Sequence, residues 1–510
     1  MAFPRAAGIL LHPTSLPSRG GIGDLGPAAY EFADFLAAAK QALWQILPFG
    51  PIGYGYSPYS STSAFAGNPL LISLERLAEH GWLDRARVSG LTSDVSTVNY
   101  ETIFRAKMPL LFEAARTFVT SASGNARARF DSFSKDASWW LDDFVLFDAL
   151  RARYRLESWN GWPPELMRRD PSAIAKVRDE LSRELDIRRA VQFAFFEQWG
   201  ALRAYCAGNS VRVVGDIAIF LNFDSADVWT HPHLFHLDKN LAPEVVAGVP
   251  PDYFSKTGQR WGSPLYRWDV MKKDGYQWWI SRMRWATRTC DYIRLDHFRG
   301  FEQYWEIPGA EETAVNGKWV DGPKDDLFLK LREALGGLPF FAEDLGYITP
   351  EVHAFRERLK IPGMAVMQFG FGDVGAHMYL PHTFTADKVV YTGTHDNDTL
   401  VGWWQTGASE QERQYAKSYL GESEDGIHWA MIRAALGSVA SISVVPMQDV
   451  LGLGSEARMN VPSSNNGNWQ WRYKPGALTD ALARKLAVLS EVTDRIPVAL
   501  PPHPAQDFVA

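Results

Sequence analysis

At 510 residues the chain is long enough for about two to four ordinary domains or for one large barrel with insertions. Its 46% hydrophobic residues fill a large core, and a net charge of −7 argues against a nucleic-acid partner, which calls for a basic face. Only two cysteines, Cys206 and Cys290, stand far apart, so no disulfide framework is expected, and no apolar run approaches the roughly 20 residues of a membrane span.

The first residues hold no long apolar segment and no cleavage site, so a cytoplasmic location is the expectation. Ile9 to Leu11 reads as a short buried strand, and the glycine-rich loop Gly20–Gly26 lacks the spacing of a dinucleotide fingerprint. A helix is predicted from Pro27 and Ala28, because Phe32, Phe35, Leu36 and Ala39 fall on one face. Trp44 to Leu47 is the next strand, and strand–helix–strand in this span is a parallel β-α-β unit. Gly53 to Pro69 mixes turn formers with tyrosines and no apolar period, which suits a binding loop. From about Leu70 to Ala207 the patterns turn helical, as where Asp170 caps a helix opening on Pro171 with Ile174, Val177 and Leu181 on one face. This stretch, residues 70–207, reads as a mainly helical insertion subdomain, and residues 222–290 as a further loop insertion.

Strand signals resume at Val211–Asp216 and continue at Tyr292–Asp296, Pro339–Glu343, Met364–Phe369, Val389–Asp396 and Ser441–Met447. Counted from Ile9 these are eight candidates, most separated by helical stretches, and they suggest an α/β fold: a (β/α)8 barrel with large insertions, the whole of 1–510 forming one catalytic unit. In such a barrel the active site lies at the C-terminal ends of the strands. Asp216, Asp296, Glu343 and Asp396 each close a predicted strand. Arg294 and Asp296 are two apart, so on a strand they share a face, and a guanidinium beside a carboxylate favours the ionised acid. His297 and His395 each adjoin one of the acids, but the Arg294 charge would repel a metal cation, so no metal and no cofactor is expected. Glycosidic chemistry fits better, with one carboxylate as nucleophile and one protonated acid about 5–5.5 Å away for a retaining reaction. Glu343 follows Phe340, Phe341 and Ala342 and has no adjacent cation, so it is the expected acid/base, Asp296 the nucleophile, and Asp396 a third carboxylate that binds sugar hydroxyls and raises the proton affinity of Glu343. A cap within Thr394–Thr399 is the plainer alternative for Asp396. The chain's 20 tryptophans suit a sugar-stacking cleft.

Several stretches carry a family resemblance. They run from Gly8-Ile-Leu-Leu-His-Pro-Thr-Ser-Leu-Pro17 and Trp44-Gln-Ile-Leu-Pro48 through Ser57-Pro-Tyr59, Gly215-Asp216 and Gly258-Gln-Arg-Trp-Gly-Ser-Pro-Leu-Tyr266. They continue in Arg294-Leu-Asp-His-Phe-Arg-Gly300, Ala342-Glu-Asp-Leu-Gly346, Gly393-Thr-His-Asp-Asn397, Ala457-Arg-Met-Asn460 and Asn468-Trp469. In this order, over nearly the whole chain, they resemble the amylomaltases, the 4-α-glucanotransferases (disproportionating enzymes) of the α-amylase clan. The resemblance implies retaining transfer of α-1,4-glucan segments between maltooligosaccharides, with release of glucose or a shorter glucan, and no separate C-terminal β-domain. It implies Asp296 as nucleophile, Glu343 as acid/base and Asp396 as transition-state stabiliser. It also implies that Tyr59, Asp216, Arg294, His297 and His395 line the donor subsites, that Ser57 binds substrate, and that Trp261 and Gln259 lie on the acceptor side. Tyr253 and Phe254 would stack on glucan, and Asn460 and Asn468 would complete the set. Two positions depart from the pattern: Tyr56, where an acid is usual, and Thr383, where asparagine is common. The partners expected are a glucan donor and a sugar acceptor, with no nucleic acid and no membrane. A hydrolase using the same carboxylates is the runner-up reading, and it differs only in whether water or a sugar hydroxyl attacks.

Overall fold

The computed structural model describes residues 3–91, 96–251, 255–421, 423–464 and 466–498. Twelve strands are present among them. In chain order they are β1 (Ala6–Leu10), β2 (Leu43–Gln45), β3 (Arg212–Ala218), β4 (Val245–Val249), β5 (Gln259–Pro264), β6 (Tyr292–Asp296), β7 (Gln303–Pro308), β8 (Lys318–Asp321), β9 (Phe340–Ala342), β10 (Gly363–Val366), β11 (Lys388–Tyr391) and β12 (Ile442–Pro446). Eight of them close into a parallel barrel in the order β1-β2-β3-β6-β9-β10-β11-β12, with β12 returning to β1. Each coincides with one of the eight strand candidates. The boundaries differ in three places that bear on function, one of them β11, which stops at Tyr391 and leaves Asp396 beyond its end. β10 stops at Val366, where a tight turn over Met367–Phe371 takes over, and β3 runs two residues past Asp216.

The barrel is held by burial on both faces. Phe340, Phe341 and Ala342 are all buried, as are all five residues of β1 and of β12, which is why these strands read as unbroken apolar runs. The helix Pro27–Ala38 begins on proline, whose missing N–H removes one unpaired donor, and it buries Phe32, Phe35 and Leu36. Its neighbour Trp44 is fixed by an indole N–H to Leu11 O at 2.8 Å.

Among the described residues of 74–208 the elements are helices, with one isolated β-bridge from Thr97 to Trp471. Ser182–Gly208, the longest at 27 residues, packs against Tyr100–Ser121, Gly124–Asp136 and Ser138–Arg153. Phe193 sits at their junction with its ring 5.4 Å from Phe118 and 5.6 Å from Phe130. The Asp170 carboxylate accepts from Ser172 N and Ala173 N, both at 3.0 Å, and starts the helix Pro171–Glu180. The long helix also props a barrel loop. The Gln192 amide exchanges hydrogen bonds with the N–H and C=O of Gly67, and Gln198 does the same at Ser73. Gly67 lies so close to the Phe195 ring that a Cβ would come within 2.0 Å of it. The loop that carries Tyr59 is therefore anchored to the helical stretch.

A second sheet, β5-β4-β7-β8, is antiparallel and is built from the chain after β3 and after β6. β4 and β5 fall within the stretch read as a loop insertion: Val245–Val249 is a short β-branched run that this reading passed over, whereas Gln259–Pro264 does not alternate and is a strand through its pairing with β4. Among the described residues no helix is long and apolar enough to cross a membrane.

Candidate active site

Parallel pairing of β3 with β6 sets Asp216 opposite Arg294 and Ala218 opposite Asp296. Alternation along β6 sends Arg294 and Asp296 to one face. Arg294 is 4% exposed, and its Nη1 donates to Asp216 Oδ1 and Oδ2 at 2.9 and 2.8 Å and to Asp296 Oδ1 at 2.7 Å. Burial by itself lowers the pKa of this guanidinium, but Asp216 and Asp296 together hold it well above its ordinary value. A cation bound here would meet a fixed positive charge. Asp216, whose side chain is fully buried, also accepts from the Tyr59 hydroxyl at 2.8 Å. Burial, followed by the charge of Asp216, pushes the Tyr59 phenol far up, so it stays a donor. Asp216 lies inside β3 and not at its end, and it serves as the counter-charge that seats Arg294.

Glu343 follows β9 directly. Leu295 pairs with Ala342, so Asp296 and Glu343 are the next residues of two adjacent strands. Main-chain bonds Glu343 N to Leu295 O (3.0 Å) and Phe298 N to Glu343 O (3.1 Å) extend this pairing. The carboxyl accepts from His297 N at 2.8 Å and from Leu345 N at 3.0 Å. Burial pushes the pKa of Glu343 up to about 8; Arg294 and these two N–H groups oppose the rise, and the charge of Asp296 adds to it. Two expectations change here. The largest like charge acting on Glu343 is Asp296, where Asp396 was expected, and Arg294, distant from Glu343 in sequence, does reach it through space.

His297 turns the chain between them. Its backbone is left-handed at φ 49°, an uncommon conformation for a non-glycine residue, and this conformation accompanies the N–H bond to Glu343. Burial lowers its pKa to about 4 despite the attraction of Asp296, so the ring is neutral at pH 7. Its Nε2 has no partner among the described residues, and its edge meets the Trp261 ring at 4.8 Å and 87°.

Asp396 lies five residues beyond the end of β11, in the loop that precedes the short helix Leu400–Gly402. The capping work in this loop falls to its neighbours. Asn397 Oδ1 accepts from the Thr394 N–H and hydroxyl, both at 2.9 Å, and Asp398 accepts from Ser455 at 2.7 Å. Asp396 is left 46% exposed; its Oδ1 accepts from Asn460 Nδ2 at 2.6 Å and lies 3.5 Å from His395 Nε2. Arg458 holds the same spot from behind, donating to Asp396 O at 2.6 Å and Asn460 O at 2.8 Å. The His395 ring stacks on Tyr59 at 5.2 Å and 18°, and Trp469 closes against both at 5.9 and 6.1 Å. Arg458 and Trp469 stand in the motifs that carry the resemblance, but nothing in their local pattern marks them as parts of the site.

The remaining predicted residues divide. Trp261, 40% exposed, and Gln259 share one face of β5, joined by an indole N–H to Gln259 Oε1 at 3.1 Å. Ser57 Oγ accepts from Tyr59 N at 3.2 Å and shapes its own loop. The Asn468 amide is spent on main chain, with Val461 N at 2.9 Å, Ser464 O at 2.7 Å and Val461 O at 3.3 Å, and not on a carboxylate. Tyr253 and Phe254 lie outside the described residues.

A family model described as 4-alpha-glucanotransferase matches residues 11–479. The 4-alpha-glucanotransferase of Thermus thermophilus is 47% identical over 504 residues, which is 97% of this chain and 100% of that one. The chloroplastic/amyloplastic 4-alpha-glucanotransferase of Solanum tuberosum is 43% identical, covering 96% of this chain and 85% of its own. Among solved structures, the amylomaltase of Streptococcus agalactiae in complex with acarbose superposes with a TM-score of 0.93 at 36% identity, over 96% of this chain and 99% of the other.

Proposed function

Since the chain belongs to the 4-α-glucanotransferase family and transfers α-1,4-glucan segments by a retaining reaction, we propose that Asp296 is its nucleophile, Glu343 its general acid and base, and Asp396 the carboxylate that stabilises the transition state. The observation that carries this reading is the contrast between two neighbouring carboxyls. Asp296 is paired with Arg294, whereas burial pushes Glu343 up to about 8, so that it holds a proton at neutral pH. Glu343 gives that proton to the glycosidic oxygen as the Asp296 oxygen attacks the anomeric carbon; the C–O bond to the leaving glucan breaks and a glycosyl ester forms. Glu343, now ionised, takes the proton from an acceptor hydroxyl. That oxygen attacks the anomeric carbon from the face opposite the ester, Asp296 leaves, and a new α-1,4 bond results. The neutral imidazole of His297 and the phenol of Tyr59 offer hydrogen bonds to the donor sugar. Asp396, held by Asn460 and Arg458, accepts from sugar hydroxyls as positive charge builds on the ring.

In this reading residues 1–510 form one catalytic barrel. The helical stretch 70–207 supports the donor loop around Ser57 and Tyr59. Residues 222–290 supply the acceptor side with Gln259 and Trp261, and Asn468 holds main chain at Val461 and Ser464. A cytoplasmic location accords with two free, buried thiols, Cys206 and Cys290. Incubation of the protein with maltotriose, with products resolved by chain length, tests the assignment. Glucose together with longer oligomers is expected for the wild type and neither for Asp296→Asn; transfer at near wild-type rate by Asp296→Asn overturns the role of Asp296.

A further inference from the structure

The loop that carries His395 and Asp396 is suspended between two ends, and one buried side chain holds both. Thr392, fully buried just after β11, donates its hydroxyl to Asp449 Oδ2 at 2.7 Å. Leu400, the first residue of the helix beyond the loop, donates its N–H to Asp449 Oδ1, also at 2.7 Å. Asp449 is 1% exposed and lies in the turn of helix Met447–Val450 that directly follows β12, the barrel neighbour of β11. No cation pairs with it among the described ion pairs. A buried carboxylate without a counter-ion is costly to keep, and the two short donors are what it has in return. Burial pushes its pKa up to about 7; the Leu400 N–H and the Thr392 hydroxyl oppose the rise, and the facing Asp398 carboxylate adds to it. Gln368 is a weaker tie between the same ends, its N–H donating to Thr392 O at 3.3 Å and its Nε2 to Asp398 O at 2.8 Å, and Arg458 donates to Asp396 O within the loop.

We propose that Asp449 is a positioning residue for glucan transfer: one oxygen on each end of the Thr392–Leu400 loop sets the loop's span, and this places Asp396 and His395 against the Arg294–Asp296–Glu343 cluster. The inference rests on the role assigned above to Asp396. Asp449 touches neither substrate nor the reacting carboxyls, so its effect passes through the loop. A clamp of this kind acts on the rate of the bound complex more than on binding, because most sugar contacts come from other strands.

Kinetics on maltotriose test it. Asp449→Ala removes the shorter tie from both ends and leaves only that of Gln368, and kcat falls by about 30-fold with KM changed by less than about threefold. Asp449→Asn keeps one oxygen for Leu400 N–H and an amide N–H for the Thr392 oxygen, so kcat returns to within about fivefold of wild type. If the alanine variant does not fold, Thr392→Val removes one arm alone and is expected to cost about fivefold in kcat. Asp449→Ala, or Thr392→Val in its place, is also made in an Asp396→Asn background, where the further loss is expected to be smaller than in the wild type and confined to what His395 contributes. Wild-type kcat in Asp449→Ala and Thr392→Val overturns the clamp. So does full additivity with Asp396→Asn, or an asparagine variant as impaired as alanine. A wild-type rate in Asp396→Asn alone overturns the role of Asp396 itself, a separate result.

Discussion

Replacing Glu343 by glutamine separates two consequences of its environment. The rise from an ordinary 4.5 to about 8 means that the folded protein keeps a proton which the unfolded chain has released between those pH values. Stability contributed by this group is therefore full below pH 4.5, declines as pH rises through the window, and is level above about 8. At about 1.36 kcal/mol per pH unit the whole effect is about 5 kcal/mol, and water reaching the half-buried carboxyl reduces it to roughly 2–4 kcal/mol. Glutamine is the neutral isostere, so it matches the protonated acid at low pH and removes the burden at high pH. For a chain this long, 1 kcal/mol moves Tm by roughly 1 °C. Glu343→Gln should melt with the wild type at pH 5 and about 2–4 °C above it at pH 9, in calorimetric scans at one fixed rate. The same variant loses the proton donor, and its kcat on maltotriose falls by about 10²–10⁴-fold. The wild-type profile of kcat/KM should carry an alkaline limb near pH 8. An offset in Tm that does not change with pH, or a wild-type rate that is flat from pH 7 to 9, would refute the burial argument.

Further outcomes follow from the same geometry. Arg294→Lys replaces a guanidinium that reaches three carboxylate oxygens with a single point charge, and should cost about 3–5 kcal/mol in urea unfolding; a loss under 1 kcal/mol would show that Asp216 and Asp296 do not depend on that pairing. Asn460→Ala leaves Asp396 without its amide donor and should lower kcat by about tenfold with the fold intact by circular dichroism; unchanged kcat would remove Asn460 from the site. The ring of His297, with its pKa lowered to about 4, should titrate well below pH 5 in a carbon-13 histidine NMR experiment, assigned by loss of one signal in His297→Asn. A midpoint near 6.5 would contradict its burial.

Residue type and order alone determined much of this protein. The eight barrel strands were legible because each is a short, largely buried run rich in apolar or β-branched residues, a pattern that survives without knowledge of its neighbours. Asp296 and Arg294 were readable as a pair because alternation on one strand is a local property. The helix starts at Pro27 and Pro171 were likewise written in local chemistry. Long-range pairing decided the rest. β5 does not alternate and is a strand through its pairing with β4, which pairs in turn with β7. Asp396 reads as a strand end or a loop cap until Asn397 and Asp398 are seen to take the loop bonds and Asn460, 64 residues on, to take its carboxylate. The electrostatics of Glu343 belong to the fold in the same way. Its sequence neighbours predict an apolar setting, but the charges that tune it, Arg294 and Asp296, come from an adjacent strand, and the fall of potential with distance depends on where the barrel puts them.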